Sequence, residues 1–149
     1  MSRRTPGRSN LEEQGAFSQA LVGRSGGVMT AATRDEVPVA LAGDGVEVRT
    51  KPMGGGMSVG YIRLPEGTDM GPALKGLDGD ACQCPHWGYL LKGRLRMLTA
   101  EGEEHYEAGQ AYYWAPGHVP VALEDCELVE FSPTEDFQKV IDHVTSQAG

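Results

Sequence analysis

DACQCPHWGYLLKGRL, residues 80–95, sets Cys82, Cys84 and His86 on alternate positions ahead of an apolar run. In an extended chain such residues point to one side, so the stretch reads as the start of a strand carrying three metal-type donors on one face. The parity continues through Gly88 and Leu90. Trp87, Tyr89 and Leu91 take the other face, as packing or as a subunit interface. Gly88 has no side chain and leaves room for a bound molecule beside His86.

The residues on either side have the same extended character. VPVALAGDGVEVRT (37–50) reads as two strands about the turn Gly43-Asp44-Gly45, and MSVGYIRLPEGT (57–68) as a third, closed by Pro65-Glu66-Gly67. DMGPALKGLDGDA (69–81) reads as loop. Beyond residue 86, turn signals recur about every ten residues, at Lys92-Gly93, Glu101-Gly102, Ala108-Gly109, Pro116-Gly117 and Glu124-Asp125. That rhythm is the one an all-β sandwich or barrel requires. The period changes at the end. Phe137, Val140, Ile141 and Val144 follow i, i+3, i+4, i+7 after Thr134, Glu135 and Asp136, which predicts one closing helix.

The chain has 149 residues, enough for one domain with a real core, and its 21 glycines and 9 prolines suit short strands and tight turns better than a helical bundle. Its net charge of −8 argues against nucleic acid, whose phosphates need a basic face. Five arginines stand against two glutamates in residues 1–34, a net of +3, so the remainder carries −11. Residues 1–34 read as a flexible N-terminal extension, with a short helix over Asn10–Val22 interrupted by Gly15, and residues 35–149 as the barrel with its helix. Met29 is a candidate alternative start. No apolar run approaches the roughly 20 residues of a membrane span, and no apolar stretch of the signal-peptide kind follows the opening arginines. Three cysteines form an odd set, with Cys82 and Cys84 too close to bridge comfortably, which points to a reducing cytoplasm. MGGGM (53–57) lacks the strand–glycine loop–helix setting of a nucleotide site.

HWGYLLKGRLRML (86–98) followed by EAGQAYYWAPGHVPVALEDCELVEFSP (107–133) resembles the two halves of the cupin barrel, a small antiparallel jelly roll, over about residues 37–133. The resemblance implies an all-β fold, a homodimer, and a ligand or metal site in the barrel mouth. With Gly93 as the closing glycine of the first cupin motif, His86 stands where the family usually has Glu, and Cys82 and Asp80 stand where its paired histidines usually are. In the second motif Gly109 begins the pattern, and Ala115 and Gly117 occupy its PxG positions. The usual histidine falls on Pro120, with His118 two places earlier. The ordinary three-His-one-Glu set is therefore replaced.

What replaces it is a candidate metal set of Cys82, Cys84, His86 and His118, with Asp80 as a further oxygen donor. Such soft and borderline donors suit Zn²⁺ or Fe²⁺, with copper a third choice. His86 and His118 are also the candidate catalytic residues, as general acid or base. Candidate ligand contacts are Gly88, Tyr112, Trp114, Arg94 and Arg96. Tyr112 and Trp114 share one face of YYW, and Arg94 and Arg96 share one face of their strand, where they could pair an acidic ligand. The function expected is small-molecule binding in the barrel, assisted by a divalent metal. If the protein is an enzyme, the reaction would be oxygenase, isomerase or lyase chemistry. The alternative is a metal-free ligand or redox sensor using Cys82 and Cys84. His105 is expected on the surface and Cys126 in the core.

Overall fold

The computed structural model describes residues 28–148. The candidate helix at 10–22 and most of the extension 1–34 lie outside them. Nine strands form, β1 (Val39–Gly43), β2 (Val46–Gly54), β3 (Met57–Leu64), β4 (His86–Lys92), β5 (Arg94–Thr99), β6 (Gly102–Glu107), β7 (Ala111–Trp114), β8 (His118–Ala122) and β9 (Cys126–Pro133). They make a six-stranded sheet in the order β1-β2-β3-β9-β4-β7 and a three-stranded sheet in the order β6-β5-β8. Every strand pairing is antiparallel. All five turn signals beyond residue 86 fall between consecutive strands. The stretch 69–81 carries more local structure than a plain loop. It holds a single helical turn, α1 (Gly71–Leu74), with Pro72 in its first turn, and a 3-10 turn at Asp78–Asp80.

Alternation sorts each strand into an inner and an outer row. On β9, Cys126, Leu128, Glu130 and Ser132 are buried while Phe131 is exposed. On β4, His86 and Leu90 are buried while Trp87, Tyr89 and Leu91 are exposed. One core cluster fills the barrel with Leu90, Leu95, Met97, Leu128 and the aromatic pair Tyr112 and Trp114, stacked with centroids 3.6 Å apart. Each such side chain contributes about 1.5–3 kcal/mol by leaving water. Gly93 sits at φ +90° in the β4–β5 turn, and a Cβ there would lie 2.8 Å from Cys126 Sγ. Only glycine meets both demands.

A second apolar cluster lies at the other end of the barrel, where the closing helix α2 (Thr134–Gln147) covers it. Phe137, Val140, Ile141 and Val144 are its buried residues, the four that the spacing predicts. Thr134 anchors the helix start, its N–H donating to Gly56 O at 2.9 Å and its hydroxyl lying 2.8 Å from Ser58 Oγ. Farther along, His143 Nε2 sits 2.8 Å from Lys75 O, which ties the helix to the segment after α1. Upstream of β1, Thr30 donates to Met53 O and Tyr61 to Ala32 O, so residues 30–32 lie against β2 and β3. No helix among the described residues is long and apolar enough to cross a membrane.

Candidate metal and ligand site

The site forms where the two sheets meet beneath α2. His86 opens β4, paired across the sheet with Trp114 of β7, and His118 opens β8 in the smaller sheet. Cys82 belongs to neither sheet but bridges to the second. Its N–H donates to His118 O at 2.9 Å, and its carbonyl accepts from Gly117 N at 2.7 Å and His118 N at 3.3 Å. Backbone hydrogen bonding thus presses residue 82 against residue 118, while four residues of chain carry it on to His86.

The side chains then converge. One ligand atom each from Cys82, His86 and His118 lies within 4.8 Å of the other two, and all three residues are buried. Cys82 Sγ is 3.5 Å from His86 Nε2, about the separation of two ligands on one tetrahedral ion. The two imidazole centroids are 5.1 Å apart. Both rings and the Cys82 side chain line one interior space.

Two partners outside this group orient the rings. His118 Nδ1 donates to Ala115 O at 2.6 Å, which leaves its Nε2 lone pair free. His86 Nδ1 lies 2.6 Å from Ser132 Oγ and 3.6 Å from Glu130 Oε1. Those oxygens favour the proton on Nδ1, so Nε2 faces Cys82 with its lone pair. Glu130 in turn accepts the Tyr112 hydroxyl at 2.9 Å and is only 2% exposed. Neither Glu130 nor Ser132 was a candidate from sequence. The available signal was parity, since EFSP places residues 130 and 132 on the inner row of β9, but one strand pattern does not say what stands opposite.

Burial sets the protonation states. Desolvation holds His86 and His118 down at about 4, with His86 adding to the effect on His118, so both rings are neutral near pH 7. The Cys82 thiol is pushed up to about 12 by burial, and Glu130 to about 7 for the same reason. Neutral imidazoles with free lone pairs are ready ligands. A buried thiol becomes a thiolate only with a cation beside it.

The remaining candidates are placed as follows. Cys84 is buried but stands apart from the three-residue group, because the chain bends there, ahead of Pro85, and extended-chain alternation fails across the bend. Its thiol lies 3.4 Å from Pro85 O and packs into the cluster beneath α2. The room expected at Gly88 belongs to Tyr112. A Cβ there would collide with that phenol and lie 2.7 Å from Val129 O. Tyr112 fills the barrel and holds Glu130, whereas Trp114 lines the open space beside His86. Arg94 and Arg96 lie on the outer row of β5, near Glu124 at 3.8 Å and Glu103 at 4.0 Å respectively, and neither lines the cavity beside His86. The inner row of that strand is Leu95 and Met97. Asp80 accepts from Gly76 N, and His105 is exposed.

Between this group and α2 lies a cavity of about 80 Å³. Cys82, His86, His118 and Glu130 form its polar wall; Met70 and Leu74 join the helix residues on the apolar side. Phe137 meets His86 edge-on at 5.7 Å.

No family model matches the sequence, and no curated protein matches it either. Solved structures do match in fold. An RmlC-like cupin from Shewanella frigidimarina NCIMB 400 is 16% identical with a TM-score of 0.52, over 71% of this chain and 93% of that one. An RmlC-like cupin from Ralstonia eutropha JMP134 is 16% identical with a TM-score of 0.53, over 71% and 69%. A formate complex of oxalate decarboxylase from Lactobacillus farciminis is 16% identical with a TM-score of 0.54, over 72% of this chain but only 34% of that one.

Proposed function

We propose, from a chain that has the cupin fold, that Cys82, His86 and His118 hold one divalent transition metal, beside which a small organic molecule binds under α2. The observation that carries this reading is the convergence of three buried donor atoms within 4.8 Å, two from the stretch 82–86 and one from β8. A thiolate with two imidazoles leaves a fourth position open, the pattern of zinc sites that bind or activate a ligand, and it also suits iron. The metal would polarise an oxygen atom or activate water or O₂. The chain's own residues supply the rest. Ser132 and Glu130 aim His86, Ala115 aims His118, and α2 supplies apolar lining.

Elemental analysis of untagged protein tests this directly. About one equivalent of zinc or iron is expected, lost in His86→Ala and Cys82→Ser; metal-free protein that takes up none on titration would refute it. The rival, an oxidant sensor on Cys82 and Cys84, is poorly served by this geometry. Both thiols are buried and pushed upward by desolvation, the opposite of a reactive cysteine.

The outer face of β4, β7 and β9 supports a homodimer. Trp87, Tyr89, Leu91, Tyr113 and Phe131 are each more than two-fifths exposed and lie on adjacent strands. Arg63, Lys92 and Glu127 border them, with both signs of charge, so the surface complements a second copy turned by a two-fold axis.

A further inference from the structure

We infer that the molecule bound beside the metal has a single donor head and an uncharged apolar body of about three to five non-hydrogen atoms, and that acidic ligands are excluded. This rests on the metal reading above but is decided by a different part of the site, its apolar lining and the charges it lacks.

Size comes first. An apolar cavity of about 150 Å³ accommodates benzene. At about 80 Å³ this one takes roughly half as much. Shape then separates head from body. The polar lining is Cys82, His86, His118, Glu130 and the indole of Trp114, and Val140, Ile141 and Val144 of α2 line the same space. A ligand that occupies this space and reaches the donors with one atom lays the rest of itself against methyl groups.

Charge completes the argument. Among the described residues, no lysine or arginine lines the cavity. The two arginines that an acidic ligand would need, Arg94 and Arg96, lie on the outside of β5. A carboxylate on the ligand body would therefore be an unpaired anion against aliphatic side chains and near Glu130, a placement that buried charges avoid. An alkyl body meets no such penalty and gains from leaving water.

The test compares 2-methylpropane-1-thiol with mercaptoacetate, which share a heavy-atom skeleton and a thiol head and differ in the charge of the body. Binding is read by methyl NMR shifts of Val140, Ile141 and Val144, with cobalt-loaded and with metal-free protein, and in parallel by the cobalt spectrum. The branched thiol is expected to bind at least tenfold more tightly, with hexane-1-thiol excluded until Val144→Ala lengthens the cavity. Equal or tighter binding of mercaptoacetate, free acceptance of hexane-1-thiol by the unaltered protein, or no methyl shift with either small thiol would overturn the inference. Failure to bind cobalt would count against the metal reading alone, since the methyl shifts of metal-free protein still decide the ligand class.

Discussion

Glu130 has a buried carboxylate that touches Tyr112 on one side and the His86 ring on the other. Together with Ser132 it fixes which His86 nitrogen is free. Groups in this position tune metal affinity by about 10–100-fold. Ser132→Ala and Glu130→Gln are therefore expected to weaken metal binding within that range while the stoichiometry stays at one, measured by competition with a chelator. Acid provides a second test, on metal-free protein. Unfolded, His86 and His118 bind protons at about 6.5, and folded at about 4, so their contribution to stability is complete above 6.5 and lost as the pH falls toward 4. Glu130 acts in the opposite sense, costing stability as the pH rises from its ordinary 4.5 to about 7. Between pH 5 and 6 the two histidines outweigh the one carboxyl by about one proton. Stability measured by urea unfolding should thus rise with pH there, by roughly 1 kcal/mol per pH unit. Glu130→Gln should roughly double that slope; a flat profile would contradict the burial of both rings.

At the scale of elements, the strand that opens the site begins later than its residue pattern implies. Cys82, Cys84 and His86 alternate in sequence, yet β4 starts only at His86, and the chain ahead of it bends at Cys84 before Pro85. Alternation is informative only where the backbone is extended. Glycine 88 follows a related rule. Its missing side chain is the seat of the Tyr112 phenol from the neighbouring strand, a partner fixed by register rather than by local sequence. Gly88→Ala must push that ring from its contact with Glu130. A loss of about 1–3 kcal/mol is expected from overpacking, read by thermal or urea melts. The closing helix was legible in full because its apolar period is local, and all four residues of its stripe are buried.

For the whole molecule, the exposed aromatic face of the larger sheet is the feature a monomer explains least. Sedimentation at micromolar concentration is expected to give a dimer, and Tyr113→Glu with Trp87→Glu to give a folded monomer that still binds metal. A monomeric unaltered protein would remove the two-fold reading of that face without touching the interior site. The interior is divided between two ends. The aromatic pair Tyr112 and Trp114 packs the barrel, and α2 closes the other end over the cavity. Between them lies the small space that Cys82, His86 and His118 line.

Sequence alone determined the strand rhythm, the turns and the terminal helix, because each depends on periodicities of two or 3.6 and on turn residues read within a few positions; the cupin architecture came from the resemblance of residues 86–98 and 107–133 to that barrel. It also named three of the converging side chains. Tertiary structure decided which donors meet, for Cys82 joins His118 through a bridge between segments 36 residues apart in sequence. It alone set Cys84 aside, turned Arg94 and Arg96 outward, gave the Gly88 space to Tyr112, and brought Glu130 to His86. Those outcomes depend on cross-strand register and on what stands opposite each inner row, and no local pattern in the chain encodes either.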